Sequence, residues 1–367
     1  MIYLDYAATA PTEPEALKAM LACAEQAWAN PSAPYSAAGA ARRTMRLARE
    51  AVAKLLNAQP QEIVFTSGGS EANAQALFLA EGGHAVVSSI EHASVLNAAR
   101  RWARAVTTVA PGPDGRVSPE AVIQAIRPDT RLISVMLANN ETGVIQPAAA
   151  IGAAARARRI PFHCDAVQGF GQIPVDVTAM NIDLLSLSGH KLGGPRGAGA
   201  LYVRQGVAIR PLIEGGGQEF GLRSGTEDVP AICGLGEAVR LAAGDMAKRA
   251  ARERALLADF ASRIRRSAAG CRILCEESPR LPGLLALCLP GLEAVQAVAR
   301  LDLLGIAVSG GAACAARSQS LSRAYLAAGL SQDQARQVVR VSIGRHTTAQ
   351  ELETAADAIV RMYNERC

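Results

Sequence analysis

Aromatic and charged residues are both scarce in this sequence, at 4% and 19% of its 367 residues. No apolar run approaches the roughly 20 residues that a transmembrane helix needs. Residues 1–5 show no basic region ahead of an apolar stretch, as a signal peptide would. The net charge is +5 and the arginines are spread along the chain, which favours a solvated surface over a nucleic-acid footprint. We therefore expect a cytoplasmic protein that binds neither membranes nor nucleic acid.

Paired cysteines are also lacking. The eight cysteines are scattered, at positions 23, 164, 233, 271, 275, 288, 314 and 367. A disulfide framework is not expected in a chain of this size without an export signal. Cys271 and Cys275 are separated by three residues, and no second cysteine pair lies nearby. This spacing is weak evidence for a zinc site, so we expect no metal site. Most of these thiols are predicted to be buried as small hydrophobic side chains.

The chain does have a high apolar content, 50%, in a regular alternation of elements. Short β-rich runs occur at 63–65, 85–87, 106–109, 132–136, 160–164, 184–187 and 200–203. Helical patterns occur at 71–79, 95–104, 119–126 and 148–158. Ser118 before Pro119 is a typical helix start. The alternation predicts an α/β fold, with a mostly parallel sheet covered by helices on both faces.

The pattern changes near residue 245. A long amphipathic helix is expected over residues 246–264, followed by a smaller α+β region whose last helix opens with a capping box from Thr348 to Glu351. We predict a large domain over residues 12–245 and a small C-terminal domain over residues 246–367. Residues 1–11 are expected to pack on the small domain.

A candidate reactive amine follows the sixth of these strands, in the segment Ser188-Gly189-His190-Lys191. Lysine is rarely buried without a partner, and the carboxyl ends of parallel strands are where α/β proteins bind ligands. A desolvated amine there can lose its proton and form a Schiff base. Taken by itself, the segment fits a surface lysine in a loop equally well.

Two further segments suit a cofactor. Asp165 ends the preceding strand, where a carboxylate can keep a pyridine nitrogen protonated; alone, it fits a turn-capping residue better. Gly68 and Gly69 join a strand to a helix, with Ser70 as the expected N-cap, and this is a typical anion site at a helix N-terminus. A capped helix without a ligand is the alternative. Neither the P-loop pattern nor the dinucleotide fingerprint is present.

With His92 and Asn140, these features form a recognisable set. From Tyr3 to Arg345, the chain resembles the cysteine desulfurases of the nitrogen-fixation and iron–sulfur-cluster type, which are class V aminotransferases of the pyridoxal-phosphate fold-type I group. The matching segments are residues 63–68 (IVFTSG), 91–92 (EH), 139–144 (NNETGV), 165–168 (DAVQ), 188–191 (SGHK), 223–226 (RSGT), 309–314 (SGGAAC) and 339–345 (VRVSIGR). The resemblance implies a large domain with a mostly parallel seven-stranded sheet and a smaller α+β domain.

The resemblance also implies roles around a pyridoxal 5'-phosphate cofactor. Lys191 would carry it as a Schiff base and later move protons. Asp165 would pair with the pyridinium nitrogen, and Gln168 would contact the ring hydroxyl. His92 would stack on the ring and act as an acid or base. Asn140, also a cofactor contact, would receive the substrate.

The remaining implied roles concern the phosphate, the substrate and the assembly. The phosphate would be held by Gly69, Ser70, Ser188 and His190. Thr226 would reach the phosphate in the partner subunit, so a homodimer with shared sites is expected. Arg340 would clamp the α-carboxylate of L-cysteine, a bidentate task that suits a guanidinium.

Cys314 would be the catalytic thiol. In this family an enzyme thiolate attacks the sulfur of the substrate cysteine, leaving alanine and an enzyme persulfide. The small neighbours of Cys314 suit a mobile loop, and Arg317 could lower the thiol pKa. The persulfide sulfur would pass to an acceptor protein that the sequence does not identify, for iron–sulfur cluster or thio-cofactor synthesis.

One departure from the family pattern and two rival functions remain open. Many members have a histidine shortly after the segment that matches residues 30–33, and none is present here. Selenocysteine lysis, or another class V reaction such as aminotransfer, would use the same cofactor, although aminotransfer needs no thiol. A degenerate, non-catalytic binding partner is the other rival, against which the intact Lys191, Asp165 and Cys314 argue.

Overall fold

The computed structural model describes residues 1–311 and 321–365. The strands are β1 (Ile2–Tyr3), β2 (Ile63–Thr66), β3 (His84–Ser88), β4 (Ala105–Val109), β5 (Thr130–Ser134), β6 (Phe162–Asp165), β7 (Leu184–Ser188), β8 (Gly199–Val203), β9 (Arg272–Ile273), β10 (Leu284–Cys288), β11 (Ile306–Ala307) and β12 (Val338–Ser342). The α-helices are α1 (Pro14–Gln26), α2 (Gly39–Leu56), α3 (Gly69–Leu77), α4 (Ala93–Trp102), α5 (Pro119–Gln124), α6 (Ala148–Ala157), α7 (Val229–Ser267), α8 (Ala294–Leu303), α9 (Arg323–Ala327), α10 (Gln332–Ala335) and α11 (Ala349–Asn364). None of the helices in these two ranges has the length and apolar character to cross a membrane.

A seven-stranded sheet forms the centre of the molecule, in the order β2-β8-β7-β6-β5-β3-β4. β8 runs antiparallel to both of its neighbours, β2 and β7, and the other strand pairs in this sheet are parallel. Its strands are buried on both faces: Ile63 and Phe65 pack into one hydrophobic core, and Val64 between them into another on the opposite face. This two-sided burial explains the continuous apolar runs. The predicted α/β fold with a mostly parallel seven-stranded sheet is confirmed.

Local capping signals place several helices as expected. The Ser118 hydroxyl accepts hydrogen bonds from the amides of Glu120 and Ala121, so it caps α5. Thr348 and Glu351 form the predicted capping box of α11. Each of these contacts satisfies amides that have no partner inside the helix, which is why so few residues suffice to mark the start.

Helix α7 begins earlier than the sequence pattern indicates. It is one continuous helix of 39 residues from Val229, with Asp228 as its N-cap, and the expected start at residue 246 is wrong. Leu235 packs in the core of the large sheet, whereas Phe260 packs in a second core farther along the chain. The change in amphipathic pattern near residue 245 therefore marks a change of packing partner within one helix.

The C-terminal residues form a smaller α+β unit. Strands β9, β10 and β12 pair antiparallel in a three-stranded sheet. The N-terminal strand β1 joins this part of the molecule through its parallel pairing with β11, and Leu4 is fully buried in the second core. Residues 2–4 thus pack with elements more than 250 positions away in sequence.

Glu253 is a buried acid on α7, with 1% of its surface exposed. Its Oε1 lies 3.7 Å from Nε of Arg249, and its Oε2 has no hydrogen-bond partner among the described residues. Burial raises the pKa of Glu253 to about 7, although the charge of Arg249 opposes the shift. The carboxylate is therefore destabilised in the folded chain relative to the carboxylic acid.

We predict that Glu253 makes the protein less stable as the pH rises. The folded chain retains a proton on this group that the unfolded chain releases near the ordinary value of 4.5, so the free energy of unfolding falls between that pH and about 7. Glu253→Gln should remove this dependence. In urea unfolding, the free energy of unfolding of the variant relative to the wild type should increase by about 2 kcal/mol from about pH 5 to about pH 8. The exposed Glu353→Gln is the control; an unchanged pH profile in Glu253→Gln would contradict the assignment.

Candidate active site

A cavity of about 170 Å³ opens where β6 and β7 end and α3 and α4 begin. Carboxyl ends of parallel strands and helix N-termini meet at such a position in α/β folds. The lining residues are Ala7, Ala8, Gly69, Ser70, Asn73, His92, Met136, Ala138, Asn140, Asp165, Val167, Gln168, Ser188, Lys191 and Arg340. Nine of the residues expected from the sequence are therefore brought together.

Lys191 enters the cavity from a 3₁₀ turn, Gly189–Lys191, that follows β7 directly. Its Nζ donates hydrogen bonds to the backbone carbonyls of Ala7 at 2.6 Å and Ala8 at 2.8 Å. The side-chain amide of Gln168 donates to the Ala7 carbonyl as well, at 2.9 Å. The N-terminal segment therefore fixes the position of the amine.

Asp165 lies at the end of β6 with 5% of its surface exposed. Its Oδ1 accepts from the Val167 amide at 2.9 Å and its Oδ2 from Nδ2 of Asn73 at 2.7 Å. Burial raises the pKa of Asp165, while these two donors and the neighbouring His92 and Lys191 side chains oppose the shift. Each carboxylate oxygen has further acceptor capacity, so a cationic N–H in the cavity would meet an acceptor and favour the ionised form.

His92 is the N-cap residue of α4. Its Nδ1 accepts a hydrogen bond from the Ser94 amide at 3.2 Å and lies 2.8 Å from the Ser94 hydroxyl. The capping contact holds the ring at the cavity wall, where an imidazole can stack on a flat ligand.

The anion site lies at the start of α3, with one correction to the expected capping. Gly68, not Ser70, is the N-cap, and its φ of +149° suits glycine. A Cβ on Gly69 would come within 2.6 Å of Cγ2 of Val167, so only glycine fits there. Ser70 therefore lies in the first turn, where its hydroxyl and the first helix amides are available to an anion.

Arg340 reaches the cavity from β12 with 1% of its surface exposed. Its two terminal nitrogens donate to Oδ1 of Asp5 at 2.6 Å and to the Asn140 carbonyl at 2.8 Å. Its Nε is buried and has no hydrogen-bond partner within the described ranges. The guanidinium is therefore paired with Asp5, yet its Nε–H is still available as a donor to a ligand.

Three expected site residues are not among those lining the cavity. His190 contacts Thr9 from the other side of the turn, at 3.2 Å from Nδ1 to the hydroxyl, and burial lowers its pKa to about 4. Thr226 is exposed in the segment between β8 and α7. Cys314 lies outside the described residues, as does Cys367.

Sequence reasoning gave no role to Asn73, Ser94 or Asp5. Asn73 follows Ser70 by one helical turn and therefore faces the same side of α3, a spacing that could have identified it. Asp5 carried no such signal, because its partner Arg340 lies 335 positions away in sequence. Ser94 follows His92 by two positions, but its contact with Asn73 is not apparent from the sequence.

The donor set of the cavity fits a flat, anionic cofactor better than a metal. The amine, the carboxylate and the helix N-terminus could hold a carbonyl group, a ring nitrogen and a phosphate respectively. In the two described ranges, no three His, Cys, Asp or Glu side chains cluster in a way that could hold a metal ion.

Comparison with known proteins agrees with this geometry. The aminotransferase class-V family model matches residues 2–354. The cysteine desulfurase IscS of Clostridium botulinum (strain Kyoto / Type A2) is 39% identical over 383 residues, covering 100% of this chain and 95% of that protein.

Solved structures give the same answer. The NifS-like protein from Rickettsia africae ESF-5 has a TM-score of 0.92 at 30% identity, with 99% of both chains covered. SspA, solved in complex with cysteine, has a TM-score of 0.82 at 37% identity, with 95% of this chain and 100% of that chain covered. The chain therefore belongs to the class-V aminotransferase family, and within it to the cysteine desulfurases of the IscS and NifS type.

Proposed function

We propose that this chain binds pyridoxal 5'-phosphate at Lys191 and removes sulfur from L-cysteine, giving L-alanine and a persulfide on Cys314. The observation that carries the proposal is the single cavity in which Lys191, Asp165 and His92 face the N-terminus of α3. Its occurrence in a chain of the cysteine desulfurase group supports cysteine as the substrate.

Each side chain of the cavity has a task toward the cofactor. Pyridoxal phosphate supplies an electron sink for the bonds around the α-carbon of the substrate. Lys191 provides the amine that attaches the cofactor and later moves protons at that carbon. Asp165 holds the proton on the ring nitrogen, Gln168 contacts the ring hydroxyl, and His92 covers the ring face.

The phosphate would be held by residues at the start of α3, at the end of β7 and in the turn that follows β7. Gly69, Ser70 and Ser188 line the cavity, and His190 would complete the site from the turn that carries Lys191. Thr226 is exposed, as a residue would be that serves the partner subunit in a homodimer. Glu227 and the exposed Phe220 line a surface hollow, which supports an interface on this side of the molecule.

Substrate binding is assigned to Asn140 and Arg340. The unpartnered Nε of Arg340 is a buried donor that a carboxylate can satisfy. Because Asp5 already occupies another nitrogen of the guanidinium, a bidentate carboxylate would bind along the Nε edge and share Arg340 with Asp5.

Sulfur transfer is assigned to the thiolate of Cys314. It attacks the substrate sulfur, the carbon–sulfur bond breaks, and the substrate carbon gains a proton as alanine forms. Ser309 and Arg340 exchange backbone hydrogen bonds at 2.7 and 3.2 Å, so the chain that leads to Cys314 starts beside the substrate site.

Five of the other cysteines are poorly suited to this step. Burial raises the thiol pKa of Cys23, Cys164, Cys233, Cys275 and Cys288, in the case of Cys233 to about 11. A thiol that stays protonated is a weak nucleophile.

We further propose that the persulfide is passed to an acceptor protein in the cytoplasm, for iron–sulfur cluster or thio-cofactor synthesis.

Lys191→Ala tests the cofactor assignment. The variant should lose the visible absorption band that borohydride removes from the wild type, and its alanine production should fall by at least about 10³-fold because the attaching amine is gone. The exposed Lys54→Ala is the matched control and should match the wild type. Desulfuration at the wild-type rate by Lys191→Ala would contradict the proposal. Faster turnover of selenocysteine than of cysteine by the wild type would show that selenocysteine is the substrate.

Cys314→Ser tests the sulfur-transfer step. The variant should bind cofactor and cysteine normally but make alanine at least about 10²-fold more slowly, because a serine hydroxyl stays protonated and is a weak nucleophile toward sulfur. After one turnover without reductant, mass spectrometry of the wild type should find one extra sulfur on the peptide containing Cys314. Cys275→Ser is the control; extra sulfur on another peptide would contradict the assignment.

Mixing two inactive variants tests the shared sites. A heterodimer of Lys191→Ala and Thr226→Ala chains keeps one intact site, so random mixing should restore about a quarter of wild-type activity. Lys191→Ala mixed with Asp165→Ala should restore none, because both of these residues serve their own chain's site. No recovery in the first mixture, with heterodimers shown to form, would mean that Thr226 does not act across the interface.

A further inference from the structure

An uninterrupted chain of hydrogen bonds joins Asp165 to His92 along the cavity wall. Nδ2 of Asn73 lies 2.7 Å from Oδ2 of Asp165 and 2.9 Å from Oγ of Ser94. Oγ of Ser94 lies 2.8 Å from Nδ1 of His92. Asn73 is 1% exposed, so the hydrogen bonds of its side-chain amide are shielded from bulk water.

The charge of Asp165 fixes the direction of every bond in this chain. A carboxylate only accepts, so Asn73 must present its NH₂ group to it. The second hydrogen of that NH₂ group is donated to Ser94, whose own hydroxyl hydrogen is then free to point at His92. Oδ1 of Asn73 is buried without a hydrogen-bond partner in the described part of the chain, so nothing there favours the flipped amide.

Nδ1 of His92 is therefore an acceptor in two contacts. It receives the Ser94 hydroxyl hydrogen and also the Ser94 backbone N–H, at 3.2 Å. The proton of the neutral ring is consequently on Nε2. The opposite tautomer would place an Nδ1–H against the Ser94 backbone N–H, and two donors facing each other repel.

We propose that Asn73 and Ser94 are positioning residues that hold His92 as the neutral Nε2–H tautomer and couple that tautomer to the charge of Asp165. This deepens the proposed function, on which its catalytic meaning rests. His92 then offers the cavity a hydrogen-bond donor and a flat ring. It is not a proton-accepting base in the resting enzyme, because its one basic nitrogen points into the wall.

The coupling makes the tautomer sensitive to a residue that His92 does not contact. In Asp165→Asn the new side chain can donate a hydrogen bond. The Asn73 amide is then free to flip and to turn its Oδ1 toward the side chain at position 165 and the Ser94 hydroxyl. The Ser94 hydroxyl would then donate to Asn73 instead of His92. Replacing Asp165 should therefore loosen the tautomer through two intervening side chains.

The tautomer can be measured directly in the full-length protein with ¹⁵N-labelled histidine. The chain has five histidines, and the resonances of His92 are those that disappear in His92→Gln. Long-range ¹H–¹⁵N correlation spectra distinguish a protonated Nε2 from a protonated Nδ1. The neutral imidazole of His92 in the wild type should be almost entirely in the Nε2–H form, with or without added pyridoxal phosphate.

Substitutions of Ser94 should move that signal in a graded way. Ser94→Ala leaves Nδ1 with only the longer backbone N–H contact and should therefore produce a measurable mixture of tautomers. Ser94→Thr, which keeps the hydroxyl, should restore the wild-type pattern. Asp165→Asn should give a mixture as well. The control is Ser134→Ala, which removes a hydroxyl that lies 2.8 Å from Nδ1 of another buried histidine, His163, and should leave His92 unchanged.

Kinetics give a second reading of the same positioning role. Ser94→Ala should lower kcat for desulfuration by about tenfold, as the loss of one hydrogen bond implies, with KM nearly unchanged. Ser94→Thr should recover most of that loss. A wild-type His92 found as the Nδ1–H tautomer, or a tautomer that Ser94→Ala leaves unchanged, would overturn the inference. Failure of the proposed function would be seen in a different result, a wild type that makes no alanine from cysteine. That result would not affect the tautomer measurement.

Discussion

Burial of the Asp165 carboxylate is the constraint around which the cavity is arranged. Burial alone drives this group toward its neutral form, as the raised pKa shows, and the Val167 amide and the Asn73 side chain oppose that shift. Both donors come from elements that start at the cavity: the turn after β6 and the first turns of α3. A cation in the cavity would complete the stabilisation, so the site is built for a ligand that brings a positive N–H.

The same carboxylate organises residues that it does not touch. Because Asp165 accepts only, Asn73 must donate, and the direction of the bonds to Ser94 and His92 follows. The imidazole, the proposed ring nitrogen site and the helix starts are therefore parts of one polar network. Partly satisfied networks of this kind are costly in a protein interior, so removal of one member should affect the others.

The N-terminal segment joins the two cores at the site. Carbonyls of Ala7 and Ala8 hold Lys191, Asp5 neutralises Arg340, and Leu4 is buried in the second core. Helix α7 connects the same two cores along its length. The proposed amine and the proposed carboxylate clamp come from different cores and are held in place by one short stretch of chain. Whether residues 12–245 and 246–367 behave as separate domains remains a prediction, since α7 crosses that boundary.

The sequence by itself determined the large sheet, several helix starts and the candidate residues. Apolar runs of strand length and local caps such as Ser118 act over a few residues, so they can be recognised without a structure. The segments 91–92, 165–168 and 188–191 identified His92, Asp165 and Lys191 as candidate site residues through resemblance to a family. The start of α7 and the N-cap of α3 were wrong, because in the first case a change of packing partner and in the second a glycine conformation overrode the local pattern.

Tertiary structure decided how those residues are held and what surrounds them. The contacts of Asp5 with Arg340, of Ala7 with Lys191 and of Asn73 with Asp165 join positions separated by about 90 to more than 300 residues. No local pattern encodes such pairs, since each exists only because two cores and the N-terminal segment pack together. The direction of a hydrogen bond, and with it the tautomer of His92, depends on the full set of partners that only the folded chain assembles.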